Sequence, residues 1–273
     1  LLNAPNIEKV SKERIRDELT KTLMSDHPEA LLLAQRLGLT KYFLPEFDEV
    51  VNTPQNNVWH RLNLADHTFE VVRGVNKNDR ILRWAAFLHD FGKPLCRTTD
   101  SEGYDHYYGH ASLSAFLAGR ICDRFKFDNT SKDAIGHLCY AHDLLCDIDA
   151  NHTDASKPCY RRAIRKVGMD LFPRWAELRG ADIMAHSFKN VVGQLKVLSY
   201  AKAAFLDVKR QKAPLTVREL AINGNDVCET LGVDPGPIVG QMLQIALEAV
   251  LDDPLLNERD KLLSLIKERR KDE

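Results

Sequence analysis

The chain has 273 residues, of which 44% are hydrophobic and 28% charged, with a formal net charge of −1 at neutral pH. That balance excludes a global basic field for nucleic acid, although local patches remain open to it. The longest apolar runs, such as Ala30-Leu31-Leu32-Leu33 and Ile245-Ala246-Leu247, are far too short to span a bilayer. The length suits one large domain or two to three small ones. Six cysteines, at 96, 122, 139, 146, 159 and 228, form no Cys-x-x-Cys pair. They speak for reduced thiols in a cytoplasm and against a disulfide framework or a thiolate zinc site. The first residues mix Asn, Pro, Glu and Lys and do not read as a signal peptide.

Nearly every segment reads as helix. Ser11 is placed to cap a helix carrying Ile15, Leu19 and Leu23 at helical spacing, and His27-Pro28 ends it. A second helix is expected from Ala30 to Leu37, closed by Gly38, and Leu44-Pro45 closes a short third piece. A polar loop follows at 52–57. In the central block, helices are expected over 64–75, 79–90, 110–125, 131–142, 157–167 and 172–185. Beyond about residue 193, three more helices are expected, separated by Pro214 and by Gly232-Val233-Asp234-Pro235-Gly236-Pro237. No alternating pattern of any length predicts a strand. The expectation is an all-α chain in three contiguous parts, 1–57, 58–190 and 191–273.

The central block holds an unusual stretch, Phe87-Leu88-His89-Asp90-Phe91-Gly92-Lys93-Pro94, at the end of an apolar helix. An ionised aspartate packed inward there is costly unless it meets a cation. His67, His110, His142 and Asp182 occupy similar apolar helical settings. Each alone suits a core or cap residue. Together with His89 and Asp90 they bring nitrogen and oxygen donors from five helices, as a cage for a divalent metal requires. His106 and His60 are expected beyond this set at best, and His137 and His186 on a helix surface or in the core.

The order His67, His89-Asp90, His110, His142, Asp182 on an all-helical block resembles the HD superfamily of metal-dependent phosphohydrolases. His67, His89, Asp90 and Asp182 match its four-ligand core, and His110 and His142 the extra histidines of its two-metal members. Phe91-Gly92-Lys93 matches its His-Asp-x-Gly-Lys form. The flanks resemble bacterial CCA-adding tRNA nucleotidyltransferases: residues 10–19 and Leu44-Pro45-Glu46 their neck, and 220–227, 231–240 and 253–257 their C-terminal region. The resemblance implies a helical neck-like segment at 1–57, an HD domain at 58–190 and a tRNA-contacting tail at 191–273. The nucleotidyl-transferring head has no counterpart: Asp147-Ile148-Asp149 follows no Gly-Ser turn, so the chain as written is not expected to add CCA.

What the resemblance implies is hydrolysis of a phosphomonoester or a 2′,3′-cyclic phosphodiester with one or two divalent ions, of manganese, nickel, iron, cobalt, zinc or magnesium. Asp90 and Lys93 are the expected catalytic residues. Lys93, Arg162, Arg165 and Tyr108 are the expected substrate contacts. Tyr104 and Tyr107 suit base stacking or core packing equally. Two alternatives stay open: a tRNA-binding body whose metal site is not catalytic, and a stand-alone nucleotide phosphohydrolase. Lys196, Lys202, Lys209, Arg210, Lys212 and Arg218 supply the charge a tRNA backbone would need.

Overall fold

A computed structural model describes residues 4–56, 62–151, 153–187 and 191–271. Helical periodicity and local caps decide most of it. α1 (Lys12–Leu23) buries Ile15, Leu19 and Leu23 and is capped by Ser11, as the sequence predicts. α2 (Leu31–Arg36) and α3 (Pro45–Asn52) follow. α4 (Leu64–Gly74) starts at Asn63 and α5 (Arg80–Leu88) at Asp79, each side chain accepting from a backbone N–H of the first turn. α6 (Lys93–Cys96) is a single turn. α7 (His110–Arg124) follows Gly109, whose φ of 79° is left-handed. α8 (Asn129–Ala141), α9 (Pro158–Val167) and α10 (Phe172–Ala185) complete the central run. α11 (Val191–Gln211), α12 (Gly224–Leu231), α13 (Pro237–Asp252) and α14 (Arg259–Lys271) follow. Among the described residues the one sheet is a two-residue antiparallel ladder, β1 (Thr98–Thr99) on β2 (Asp105–His106), too short to carry an alternating signal.

The chain divides into two compact units, one made of Leu1–Cys146 and Asp170–Leu198, the other of Asp147–Met169 and Ser199–Glu273. This differs from the three-part sequence division in three places, one being that residues 191–198 stay with the first unit. Residues 1–57 share a unit with the central helices, because Trp84 of α5 is fully buried and donates its indole N–H to Thr20 Oγ1 of α1 at 2.9 Å. Residues 147–169 belong with the C-terminal helices, because α9 packs on α13.

In the first unit α5 is buried nearly all round, as a helix at the centre of a bundle must be. It lies against α4, α7, α8 and α10. Phe47, Phe69, Phe87 and Phe91 form an aromatic cluster beside it, with Phe87 and Phe91 in an edge-on contact at 4.9 Å. The second unit has its own core of Ile222, Val227, Val239, Met242, Leu243, Ala246, Val250, Leu262 and Ile266. All six cysteines are free thiols. Among the described residues no helix is long and apolar enough to cross a membrane.

Candidate metal centre

The six expected ligands converge within the first unit. His67 lies on α4, His89 and Asp90 directly follow α5, His110 opens α7, His142 follows α8, and Asp182 lies on α10. His67, His89, Asp90, His142 and Asp182 are all at most 3% exposed. Two glycines allow this convergence. A Cβ at Gly74 would stand 2.8 Å from Cβ of Ala181, so α4 and α10 meet closely beside Asp182. A Cβ at Gly92 would strike the start of α7, where His110 sits.

Asp90 is the hinge of the arrangement. Its Oδ2 faces His89 Nε2 at 3.2 Å and His67 Nε2 at 3.4 Å, and its Oδ1 faces His110 Nε2 at 3.5 Å and His142 Nε2 at 3.6 Å. Asp182 turns Oδ1 to His67 Nε2 at 3.2 Å, while Arg179 Nη1 donates to its other oxygen at 2.8 Å. Three groups, His67/His89/Asp90, His67/Asp182/His186 and Asp90/His110/His142, each bring three donor atoms within 4.8 Å of one another.

The donor set fits a divalent cation for a stereochemical reason. Nδ1 of His89, His110 and His142 each lies 2.7–2.9 Å from the carbonyl oxygen three residues back. A carbonyl only accepts, so Nδ1 carries the proton and Nε2 presents a lone pair to the cluster. His110 Nε2 and His142 Nε2 then point at each other across 3.1 Å. Two lone pairs at that distance repel unless a cation or a proton lies between them. His89 Nε2 and both oxygens of Asp90 are buried and make no directional hydrogen bond.

Electrostatics divide the histidines. Burial pushes His110 and His186 down to about 4. Burial also works to lower His67 and His142, but Asp182 and Asp90 beside His67, and Asp90 beside His142, raise both overall. Burial opposes ionisation of Asp90 and Asp182. Asp90, beside His89 and Lys93, and Asp182, beside His186, His67 and Arg179, are nonetheless both held well below the usual carboxylate range. The sign of the pH effect follows. A histidine whose pKa is depressed binds fewer protons folded than unfolded, so His110 and His186 cost stability as pH falls from 6.5 towards about 4. His67 and His142, raised above 6.5, contribute stability that is lost as pH climbs through their folded values. Metal-free protein is therefore expected to melt highest near pH 6.5. Melting in EDTA across this range tests it, and a temperature that climbs steadily through pH 8 would sink it.

The other expected site residues fall in different places. Lys93 is 4% exposed, its Nζ 2.7 Å from Asp90 Oδ2, 3.2 Å from Gln55 Oε1 and over the Tyr107 ring at 5.4 Å. Tyr108 is 80% exposed and stacks on His106, whose Nε2 meets Asp100 Oδ2 at 2.7 Å. Arg162 and Arg165 lie in the second unit, where Glu248 holds both and Asp252 holds Arg162. Both guanidiniums are thus already ion-paired: the basic face of α9 meets an acidic stripe at i, i+4 spacing on α13. His60 lies outside the described residues. His186, expected on a surface or in the core, stands in the cluster with its ring stacked on His67 at 5.3 Å. Its spacing of four from Asp182 on one helix face was the available signal.

Fold and centre define a mostly helical protein with a buried histidine–aspartate cluster whose geometry can hold divalent ions. The chain belongs to the family described as tRNA nucleotidyltransferase domain 2, which matches residues 110–266. A second family, "Probable RNA and SrmB-binding site of polymerase A", matches residues 2–51. An A-adding tRNA nucleotidyltransferase of Deinococcus radiodurans is 29% identical over 248 residues, covering 87% of this chain and 54% of that protein. A CC-adding tRNA nucleotidyltransferase of Thermus thermophilus is 30% identical over 250 residues, covering 88% and 52%. The chain thus spans about half the length of the curated relatives it matches. The crystal structure of the Bacillus stearothermophilus CCA-adding enzyme in complex with CTP shares the fold, with a TM-score of 0.61 at 21% identity, over 99% of this chain and 55% of that one.

Proposed function

We propose that this chain is the tRNA-binding helical body of a tRNA nucleotidyltransferase of the CCA-adding type, and that its buried cluster holds divalent metal. The double family match, at residues 2–51 and 110–266, supports the first part. The facing Nε2 atoms of His110 and His142 support the second. The tRNA surface is assigned to α11 and the segment after it, where Lys202, Lys209, Arg210, Lys212 and Arg218 are all exposed. Lys202 and Lys209, seven apart, share one helix face. Affinity for tRNA is expected to fall linearly on a log–log salt plot, with a slope of roughly −3 for three to four phosphates engaged. Lys202→Glu combined with Lys209→Glu should flatten that slope by about two and weaken binding at low salt about tenfold or more. Filter binding over a salt series measures both, and an unchanged slope would remove α11 from the interface.

A second reading is metal-dependent phosphohydrolysis at the cluster, as in the HD superfamily. Lys93 is the observation that favours it: its ammonium is buried against the carboxylate at the centre of the ligand set. A divalent ion held by His67, His89, Asp90, Asp182, His110 and His142 would draw charge from phosphate oxygens and acidify water. In this reading Lys93 exchanges Asp90 for a phosphate oxygen, and Tyr107, its hydroxyl donated to the Pro54 carbonyl, holds the ammonium in place. Turnover of bis-p-nitrophenyl phosphate, p-nitrophenyl phosphate and 2′,3′-cyclic AMP with added manganese, nickel, cobalt or zinc is the test. A metal-loaded protein that hydrolyses none of them leaves the tRNA-binding body as the function.

A further inference from the structure

We propose that His186 is a fifth ligand of one metal position, so that the cluster offers two unequal sites rather than two similar ones. The proposal rests on the metal-holding reading above and goes beyond its ligand set. His67 belongs to two of the three donor groups, its Nε2 is the atom near both Asp90 Oδ2 and Asp182 Oδ1, and one nitrogen lone pair serves one ion. Those two groups therefore describe a single position. It has His67, His89 and His186 as nitrogen donors, with Asp90 Oδ2 and Asp182 Oδ1 as oxygen donors. The distances agree: Asp182 Oδ1 lies 3.2 Å from His67 Nε2, 3.6 Å from His186 Nε2 and 3.9 Å from His89 Nε2. Among the described residues the remaining position has only Asp90 Oδ1, His110 and His142.

The helix explains how His186 reaches the site. Asp182 and His186 are four apart at the end of α10, so both project from one face. Arg179, three before Asp182 on the same helix, occupies Asp182 Oδ2 and leaves Oδ1 for the cluster. His186 is the residue where α10 stops, with ψ of 173°, and its side chain is 26% exposed while those of His67, His89 and Asp182 are at most 5% exposed. It is therefore the most exposed of the five donors of that position. Five donors, three of them imidazoles, suit iron, cobalt, nickel or zinc, and hold an ion more tightly than three.

The test is metal binding by equilibrium dialysis and calorimetry, with cobalt(II) absorption as a second readout, on the full chain and three variants. Wild-type protein is expected to bind two ions of unequal affinity. His186→Ala should weaken the tighter one by at least about tenfold, the cost of losing even an outer partner of a ligand, and shift the cobalt spectrum. His186→Phe keeps a ring stacked on His67 without a donor atom, and should match the alanine variant. His110→Ala should lose the weaker ion and keep the tighter one. If His186→Phe binds as the wild type does, the ring only packs and the inference is overturned while the metal reading stands. If His186→Ala and His110→Ala lose the same ion, the two-position scheme is wrong. If the wild type binds no cobalt, nickel, zinc or manganese, the metal reading itself fails. Melting in EDTA, expected to be near wild type for the partly exposed His186, confirms that each variant is folded.

Discussion

Asp90→Asn is expected to remove bound divalent metal and any phosphate-ester hydrolysis together, and to lower the melting temperature of the metal-free protein by roughly 10 °C. The first effect follows from position. Asp90 turns one oxygen to His89 and the other to His110, so in the proposed two-position centre an amide there weakens both positions at once. The second follows from Lys93, which is 4% exposed and 2.7 Å from Asp90 Oδ2. Removing one partner of a buried ion pair costs about 3–5 kcal/mol, because the other charge stays buried without it. At about 2–4 °C per kcal/mol for a chain somewhat smaller than this one, that is a large shift. Adding Lys93→Met should restore much of the lost stability but none of the metal, since an apolar replacement for a buried pair is often neutral. Elemental analysis and calorimetric melting of the single and double variants separate the effects. Wild-type metal content in Asp90→Asn would refute the ligand assignment. An unchanged melting temperature would show that Gln55 suffices for Lys93.

Gly92→Ala is expected to destabilise the first unit and to impair the His110/His142 side of the cluster first. Gly92 has φ −76° and ψ −20°, which alanine adopts without strain, so backbone freedom is not the issue. The added methyl would lie 2.6 Å from Ser114 N and 2.8 Å from Leu113 Cβ, and closer still to the His110 carbonyl. Two of these are backbone atoms and cannot rotate away, so α7 must move. Overpacking of this kind costs about 1–3 kcal/mol or more. The displacement carries His110 with it and strains the bond from Gly92 N–H to Ser114 Oγ. A melting temperature several degrees lower, with the weaker metal ion lost before the tighter one, is the expected outcome. Melting and two-site metal titration equal to wild type would show that α7 yields without cost.

Helix positions and the six histidine and aspartate residues that converge were legible in the chain itself, because both are encoded locally. Ile15, Leu19 and Leu23 repeat at helical spacing, and Asn63, Asp79 and Asp128 cap the helices that follow them. A histidine or aspartate in an otherwise apolar helix is conspicuous for the same local reason. What remained hidden depended on which helix faces meet. Arg162 and Arg165 read as free cations until α9 is seen against Glu248 and Asp252 of α13, more than eighty residues away. Nothing near residues 147–169 marks them as part of the second unit, since that membership rests on long-range packing alone. His186 lies just past the last turn of α10, and only the close approach of α4 at Gly74 and Ala181 brings His67 under its ring. Local periodicity thus determined the elements and the candidate side chains, whereas the tertiary structure decided which of those side chains come together and which charges are already paired, because distances between helices are set by packing and not by neighbours in the chain.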